Sequence, residues 1–307
     1  MTTALAPQNP PPPNPTPRES KPMTNAAITY VYNESVNLPI WVRHYGGAFG
    51  HENLFVIDRC STDGSTANIG ANIIQVPRTA FDDHKKSAAI SHLHAALLQS
   101  YDCVVVSDCD EILVPDPAKY TDLAEYIDKM PGAYATAMGF NVTHIIDREP
   151  ALDLRRPILD QRGYLSFNST MCKPLISKIP QTWAPGLHAV RMPPALDPDL
   201  LVFHLKTMDM GIAQARQRIN NETEWSEASI AANHGNHHRQ HFTKFMRDVF
   251  FSAAERVNTG PVHEFDGFEK IIADLVARTH VGAEGFHHVP FGVNAMFRLP
   301  ERFWGRL

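Results

Sequence analysis

Cysteine, long apolar runs and excess positive charge are all scarce in this chain, and each shortage removes a class of function. Four cysteines, Cys60, Cys103, Cys109 and Cys172, occur in 307 residues with no CxxC spacing. That is too few for a disulfide scaffold and wrongly spaced for structural zinc, so reduced thiols are expected. Pro, Gly, Asn or His interrupts every uncharged stretch before the ~18 apolar residues of a membrane span, and the N-terminus lacks the basic-then-apolar layout of a secretory signal. A soluble, cytoplasmic protein is the expectation, and the N-x-S/T sequons at Asn141, Asn168 and Asn221 then read as coincidence. Lys and Arg number 28 against 33 Asp and Glu, a net charge of −5. A phosphate backbone as main ligand calls for the opposite sign, so no nucleic-acid partner is expected. A Gly-rich dinucleotide fingerprint and a Walker loop are both missing, which removes support for hydride transfer and ATP hydrolysis. No internal repeat is visible.

What is present suffices for a core, since 43% of residues are apolar. Residues 1–24 hold eight of the 24 prolines and almost nothing to bury, so a disordered Pro-rich tail is expected there, followed by one folded unit over 25–307. From Ala26 onward, short apolar runs read as buried strands: Ile28 to Tyr32, Leu54 to Asp58, Ile73 to Val76 and Cys103 to Ser107. Helical segments, Leu38 to Tyr45 and Ser87 to Gln99, lie between them. Strand–helix alternation predicts an α/β fold, a mostly parallel sheet with helices on both faces. After Asp116 the pattern becomes a helix at Thr121 to Met130, then strands at Tyr134 to His144, Met171 to Ser177 and Leu200 to Leu205. Phe242, Phe245, Met246, Val249 and Phe250, and then Phe268, Ile271, Ile272, Leu275 and Val276, repeat at helical spacing and predict a helical C-terminal region packed on the sheet.

The segment Val104-Val105-Val106-Ser107-Asp108-Cys109-Asp110-Glu111 carries the most chemistry. An apolar strand runs straight into three carboxylates, which must emerge at its C-terminal end, where open α/β sheets bind ligands. Two aspartates one residue apart can share a hard divalent cation, magnesium or manganese. The alternative is an acidic turn before Asp116 to Lys119. Two further strands end in polar turns: Ile28 to Val31 in Tyr32-Asn33-Glu34, and Leu54 to Ile57 in Asp58-Arg59-Cys60-Ser61-Thr62-Asp63-Gly64-Ser65-Thr66.

With these three motifs in this order, the stretch from Ala26 to about Pro117 resembles the GT-A glycosyltransferases of the family-2 type. The resemblance implies a GT-A-like (Rossmann-like) fold, with a nucleotide-sugar half over 25–117 and an acceptor half with C-terminal helices over 118–307. It implies metal-dependent transfer of a sugar from a nucleotide-sugar donor, UDP-linked by preference, to a saccharide or other hydroxyl acceptor, with inversion. It also implies site residues: Tyr32 near the base, Asn33 and Glu34 beside it, Asp58 on the base or ribose, Asp108 on the ribose or metal, and Asp110 on the metal. Tyr32 has the alternative of core packing, and Asp63 is expected to cap the turn at Gly64 without meeting ligand. Arg59 and Cys60 depart from the family's usual Asp-Gly.

Downstream, Lys173 to Lys178, Trp183 to His188 and Phe203-His204-Leu205-Lys206 resemble the branch with an Asp-x-Asp-Glu motif and a later His-x-Lys. That resemblance adds His204 to the metal set and puts Lys173 and Lys206 on the diphosphate; a satisfied core histidine is the alternative for His204. Glu111 and His188 are the candidates for the catalytic base, with Glu224 behind them. His234, His237, His238 and His241 have no acidic third ligand at a zinc spacing and suit a surface or acceptor loop. Arg298, Arg302, Arg306, Phe303 and Trp304 near the C-terminus could touch an anionic membrane without spanning it, although packing on the core is the expected use. Two other functions stay open: a nucleotidyltransferase making a nucleotide sugar, and a non-catalytic sugar-binding module. The first usually needs a Gly-rich basic loop after the first strand, which Val31 to Leu38 lacks.

Overall fold

A computed structural model of the chain describes residues 23–236 and 239–307. The expected tail falls outside this range except for its last two residues, as do His237 and His238. Strands β1 (Asn25–Val31), β2 (Leu54–Asp58), β3 (Asn72–Gln75) and β4 (Cys103–Val106) pair in parallel in the spatial order β3-β2-β1-β4. Helix α1 (Asn37–Phe49) joins β1 to β2, stepping toward β3, while α2 (Asp83–Leu97) joins β3 to β4 in the reverse direction. Right-handed crossovers in opposite directions put the two helices on opposite faces of the sheet. Between β1 and β4 the order of winding reverses, and a crevice opens beyond their C-terminal ends.

The sheet continues through β5 (Glu111–Pro115), β6 (Tyr134–Val142), β7 (Tyr164–Asn168), β8 (Ile176–Ser177), β9 (Leu196–His204), β10 (Val262–His263) and, last in the chain, β13 (Asn294–Arg298). Only β5, β7 and β8 run against the common direction, which follows from the pairings of neighbouring strands. The mostly parallel sheet with helices on both faces is therefore present. Helices α3 (Leu123–Lys129), α4 (Met210–Asn221), α5 (Glu227–Ala231), α6 (Phe242–Met246), α7 (Ser252–Thr259) and α8 (Phe268–Arg278) complete the fold, with a small hairpin of β11 (His280–Val281) and β12 (His287–His288).

Most expected elements appear within a few residues of their predicted bounds. Met171 to Ser177 is a correction: only Ile176–Ser177 pairs as a strand, after a 3₁₀ turn at Ser169–Met171. Pro174 has no N–H for a ladder, which shortens the strand. The helical run from Phe242 continues through a π-helical turn, Arg247–Phe251, into α7. After the helices the chain returns to the sheet as β13, and Phe303 is fully buried beside Phe203, with ring centroids 5.4 Å apart. The expected packing of the C-terminus on the core is thus seen for Phe297 and Phe303, while Trp304 is exposed. In the second half of the core, Phe140 meets Phe167, Phe265, Phe268 and Phe297 at 5.4, 5.1, 5.8 and 5.8 Å. Buried aromatic contacts of this kind add ~0.5–1.5 kcal/mol per pair beyond area burial. No described helix is long and apolar enough to cross a membrane.

Candidate active site

Three chain turns meet at the crevice. At the end of β1, Asn33 takes a left-handed conformation (φ 50°), its N–H donating to Ser61 Oγ (3.0 Å) and its side-chain oxygen accepting from the Thr62 N–H (2.8 Å). Asp58 is fully buried at the end of β2 and accepts from the Ser61 N–H (2.9 Å), Ser61 Oγ (2.6 Å) and Thr66 Oγ1 (3.1 Å). Both its carboxylate oxygens hold the loop that supports Asn33. Asp63 accepts from the Ser65 N–H and hydroxyl and caps its turn as expected.

At the end of β4, Asp108, Cys109 and Asp110 form the tight turn into β5, closed by the Glu111 N–H donating to the Asp108 carbonyl (2.9 Å). Residue Glu111 pairs with His204 across β5 and β9, and His204 with Asn141 across β9 and β6, so the three stand in one row. Asn141 Oδ1 accepts from His204 Nδ1 (2.8 Å), and His204 Nε2 lies 3.3 Å from Asp110 Oδ2. His204 Nε2 therefore faces a carboxylate oxygen, an arrangement that a proton or a cation between the two satisfies. Among the described residues, Asp110, Glu111 and His204 form the group able to hold a metal ion, their ligand atoms all within 4.8 Å of one another. Glu111 Oε2 is buried without a hydrogen-bond partner, so the donor set has an unsatisfied oxygen as well as an imidazole nitrogen. Hard carboxylate oxygens with one imidazole suit manganese or magnesium.

Cations surround this acidic turn. Lys86 Nζ is 2.5 Å from Asp108 Oδ1, and Lys173 Nζ is 2.5 Å from Glu111 Oε1 and 3.9 Å from Asp108 Oδ2. Burial pushes the Asp110 carboxyl up, but His204, Lys206 and Arg216 outweigh it and hold the group below the usual carboxylate range. Burial lowers Lys206 to about 8 against the opposing pull of Asp110. Arg216, on α4, donates to the Tyr32 and Asn33 carbonyls (both 2.9 Å) and pairs with Glu34 at 2.7 Å. Desolvation nonetheless raises Glu34 to about 7.

Two cavities flank the turn. The larger, about 650 Å³, is lined by Asp108, Asp110, Glu111, Lys173, His188, His204 and Lys206 among others; the smaller, about 140 Å³, by Tyr32, Glu34, Arg59, Asp108, Asp110, Lys206 and Arg216. Phe81, Lys86, Asp108, Asp110, Lys206 and Trp225 line both. Tyr32 lies under the Arg78 guanidinium (4.0 Å) rather than in the core. His188 Nδ1 bonds the Thr170 carbonyl (2.8 Å).

Tyr32, Glu34, Asp108, Asp110, Glu111, Lys173, His188, His204 and Lys206 thus face one of the two cavities. Asn33 and Asp58 do not, because their side chains are committed to the supporting loop, and Glu224 is exposed away from both. Asp108 faces Lys86 and Lys173, leaving Glu111 beside Asp110 and His204 in the candidate metal group. His234 lines the larger cavity, and His241 caps α6. Lys86 and Arg216 were not singled out in the sequence, and Asn141 was noted only as the start of an N-x-S/T sequon. Lys86 sits in the first turn of α2 behind the Asp82 cap, a weak signal, and neither Arg216 nor Asn141 stands in a spacing that points to this site.

No family model matches the chain, and no curated protein does. Among solved structures it is similar to glucosyl-3-phosphoglycerate synthase from Mycobacterium tuberculosis. The complex with phosphoglyceric acid matches at 22% identity and a TM-score of 0.28, over 39% of this chain and 44% of that one. The complex with Mn2+, uridine-diphosphate-glucose and phosphoglyceric acid matches at 21% identity, with the same score and coverage. The complex with Mg2+ and uridine-diphosphate matches at 18% identity and a TM-score of 0.28, over 42% and 47% of the two chains. The chain therefore spans less than half the length of these structures.

Proposed function

We propose that the chain is a metal-dependent glycosyltransferase that moves a sugar from a nucleotide-sugar donor, UDP-linked by preference, to a hydroxyl acceptor with inversion. The observation that carries this reading is the row Glu111–His204–Asn141 set against Asp110 between two cavities, with an unsatisfied carboxylate oxygen and an imidazole nitrogen brought together in one place. Asp110, His204 and Glu111 would hold the manganese or magnesium ion, which when bound supplies positive charge to the departing diphosphate. The smaller cavity, with Tyr32, Arg59, Lys206 and Arg216, suits the nucleoside diphosphate; the larger suits the acceptor. Because the two lie on either side of a shared wall, an acceptor hydroxyl would approach opposite the leaving group, in keeping with inversion. Residues 25–117 supply most of the donor side, joined there by Lys206 and Arg216, and 118–307 supply most of the acceptor side of one domain.

The protein's own groups divide the work. Lys206 and Arg216 orient the diphosphate and offset its charge. Lys86 and Lys173 hold Asp108 and Glu111 in place, which stiffens the turn that presents Asp110. Glu111 and His188, both in the larger cavity, are the groups able to take the acceptor proton.

Thermal melts with UDP-, GDP- and CDP-sugars, with and without manganese, test this reading together with an assay for released nucleoside diphosphate. Manganese-dependent stabilisation and release support it. Synthesis of a nucleotide sugar from a nucleoside triphosphate would favour the nucleotidyltransferase instead, and saccharide binding without any nucleotide binding would favour the sugar-binding module. His188→Gln then tests that base directly, since lost turnover with donor and manganese affinity kept identifies it; Glu111→Gln with turnover lost and manganese affinity kept would move Glu111 from the metal to the acceptor proton.

A further inference from the structure

The far floor of the larger cavity is built from strands that alternate in chemistry. Phe140, Leu165, Phe167 and Phe297 turn into the core from β6, β7 and β13. Their neighbours Asn141, Thr143, Ser166, Asn168 and Asn294 line the cavity. Register places Asn141 opposite Ser166 and Asn168 opposite Asn294, with Met296 opposite Ser166 on the same face but buried in a cluster with Ala253 and Ala254, so the polar side chains form an uncharged row from β6 along β7 to the start of β13. Several are already oriented: Asn141 by His204, Asn168 by the Thr170 N–H (3.0 Å), Asn294 by its bond to the Gly292 carbonyl (3.1 Å). At the rim, Phe291 is 58% exposed, its ring edge-on to His188 at 6.1 Å.

We propose that this floor is a subsite for an uncharged, polyhydroxylated acceptor, a short neutral saccharide chain lying across β6, β7 and β13 with one ring against Phe291. The inference rests on the glycosyltransferase reading and specifies its acceptor. Amides and hydroxyls both donate and accept, as sugar hydroxyls do, so a row of them pairs with a sugar without burying a charge. An exposed ring at the edge of a polar floor offers an apolar plate to a pyranose C–H face. A phosphorylated or carboxylated acceptor would call for converging cations. Lys86 and Lys173 are committed to Asp108 and Glu111, Lys206 stands on the wall shared with the smaller cavity beside Asp110, and Arg256 is left at the exposed rim.

The test is saturation-transfer NMR on the full chain with cellotriose, maltotriose and chitotriose against trigalacturonate and 3-phosphoglycerate, repeated on Phe291→Ala and Ser166→Leu. The expected result is transfer to at least one neutral trisaccharide, weakened roughly 3- to 10-fold by Phe291→Ala and abolished by Ser166→Leu. Phe291 is exposed, so its variant tests the idea even where Ser166→Leu disturbs folding. Binding of the anionic compounds alone, neutral binding unchanged in Phe291→Ala, or no binding by any compound overturns the proposal. UDP and manganese titrated into the same samples keep the two ideas apart. Saccharide binding without UDP binding defeats the transferase reading, whereas UDP binding without saccharide binding defeats only the subsite.

Discussion

Replacing His204 by Ala removes the imidazole from the far side of the candidate metal group and leaves Asp110 and Glu111 in place. The ring is mostly buried, with 14% of its side chain exposed, and makes two polar contacts, to Asn141 and Asp110. Losing the bond to Asn141 at a cavity that water can reach should cost about 1 kcal/mol of folding stability, with a similar amount for lost packing. Losing a ligand or its support should cost ~10- to 100-fold in manganese affinity, the equivalent of about 1.4–2.8 kcal/mol. Titration calorimetry with manganese and a thermal melt on the same preparation read the two quantities separately. Asn141→Ala keeps the ring but frees its orientation, so manganese affinity should fall in the same direction by roughly 10-fold. A destabilised His204→Ala protein with unchanged manganese affinity would refute the assignment and leave His204 as a structural residue bonded to Asn141.

Three further outcomes follow from the geometry. Asp58→Ala should lower stability by about 2–4 kcal/mol by chemical denaturation, because it breaks three bonds to a buried carboxylate; an unchanged midpoint with lost UDP binding would return Asp58 to the nucleotide. Arg216→Ala should weaken UDP binding ~10-fold or more while manganese affinity in the absence of nucleotide falls no more than about twofold, since the guanidinium braces the Tyr32–Glu34 turn and, as a cation near Asp110, does not itself attract the metal; equal losses in both would show that it braces the whole crevice. Buried His94, edge-on to Trp183 at 4.8 Å, is lowered by desolvation to about 4 from 6.5. Unfolding lets it take up a proton, so its stabilising effect is complete above pH 6.5 and is lost as pH falls toward 4, by at most roughly 3 kcal/mol. Glu34, raised to about 7, has the opposite sign: its burial costs stability as pH rises from 4.5 to 7. His94→Leu should flatten the acid limb of the melting curve, and an unaltered limb would show that other groups cause it.

What was legible from sequence was local. Apolar strands that stop at polar turns disclosed the ends of β1, β2 and β4, because an unpaired carboxylate cannot remain in a sheet core; the resemblance singled out Tyr32, Asp108 and Asp110 at those ends, and all three line a cavity. Helical spacing likewise disclosed α8 and the run through α6 and α7. Asp63 was assigned to its turn because that bonding spans only two residues. Tertiary structure decided the rest. Asp58 holds the Asn33 loop with both of its oxygens, which a strand-end position cannot reveal. Glu111, His204 and Asn141 share a row because β5 and β6 flank β9 in one register, and a shift of a single residue would turn His204 to the other face. Lys86 and Arg216 act from helices far along the chain, and an isolated cation on a helix has no periodic signature; only the folding of α2 and α4 against the crevice gives them a role.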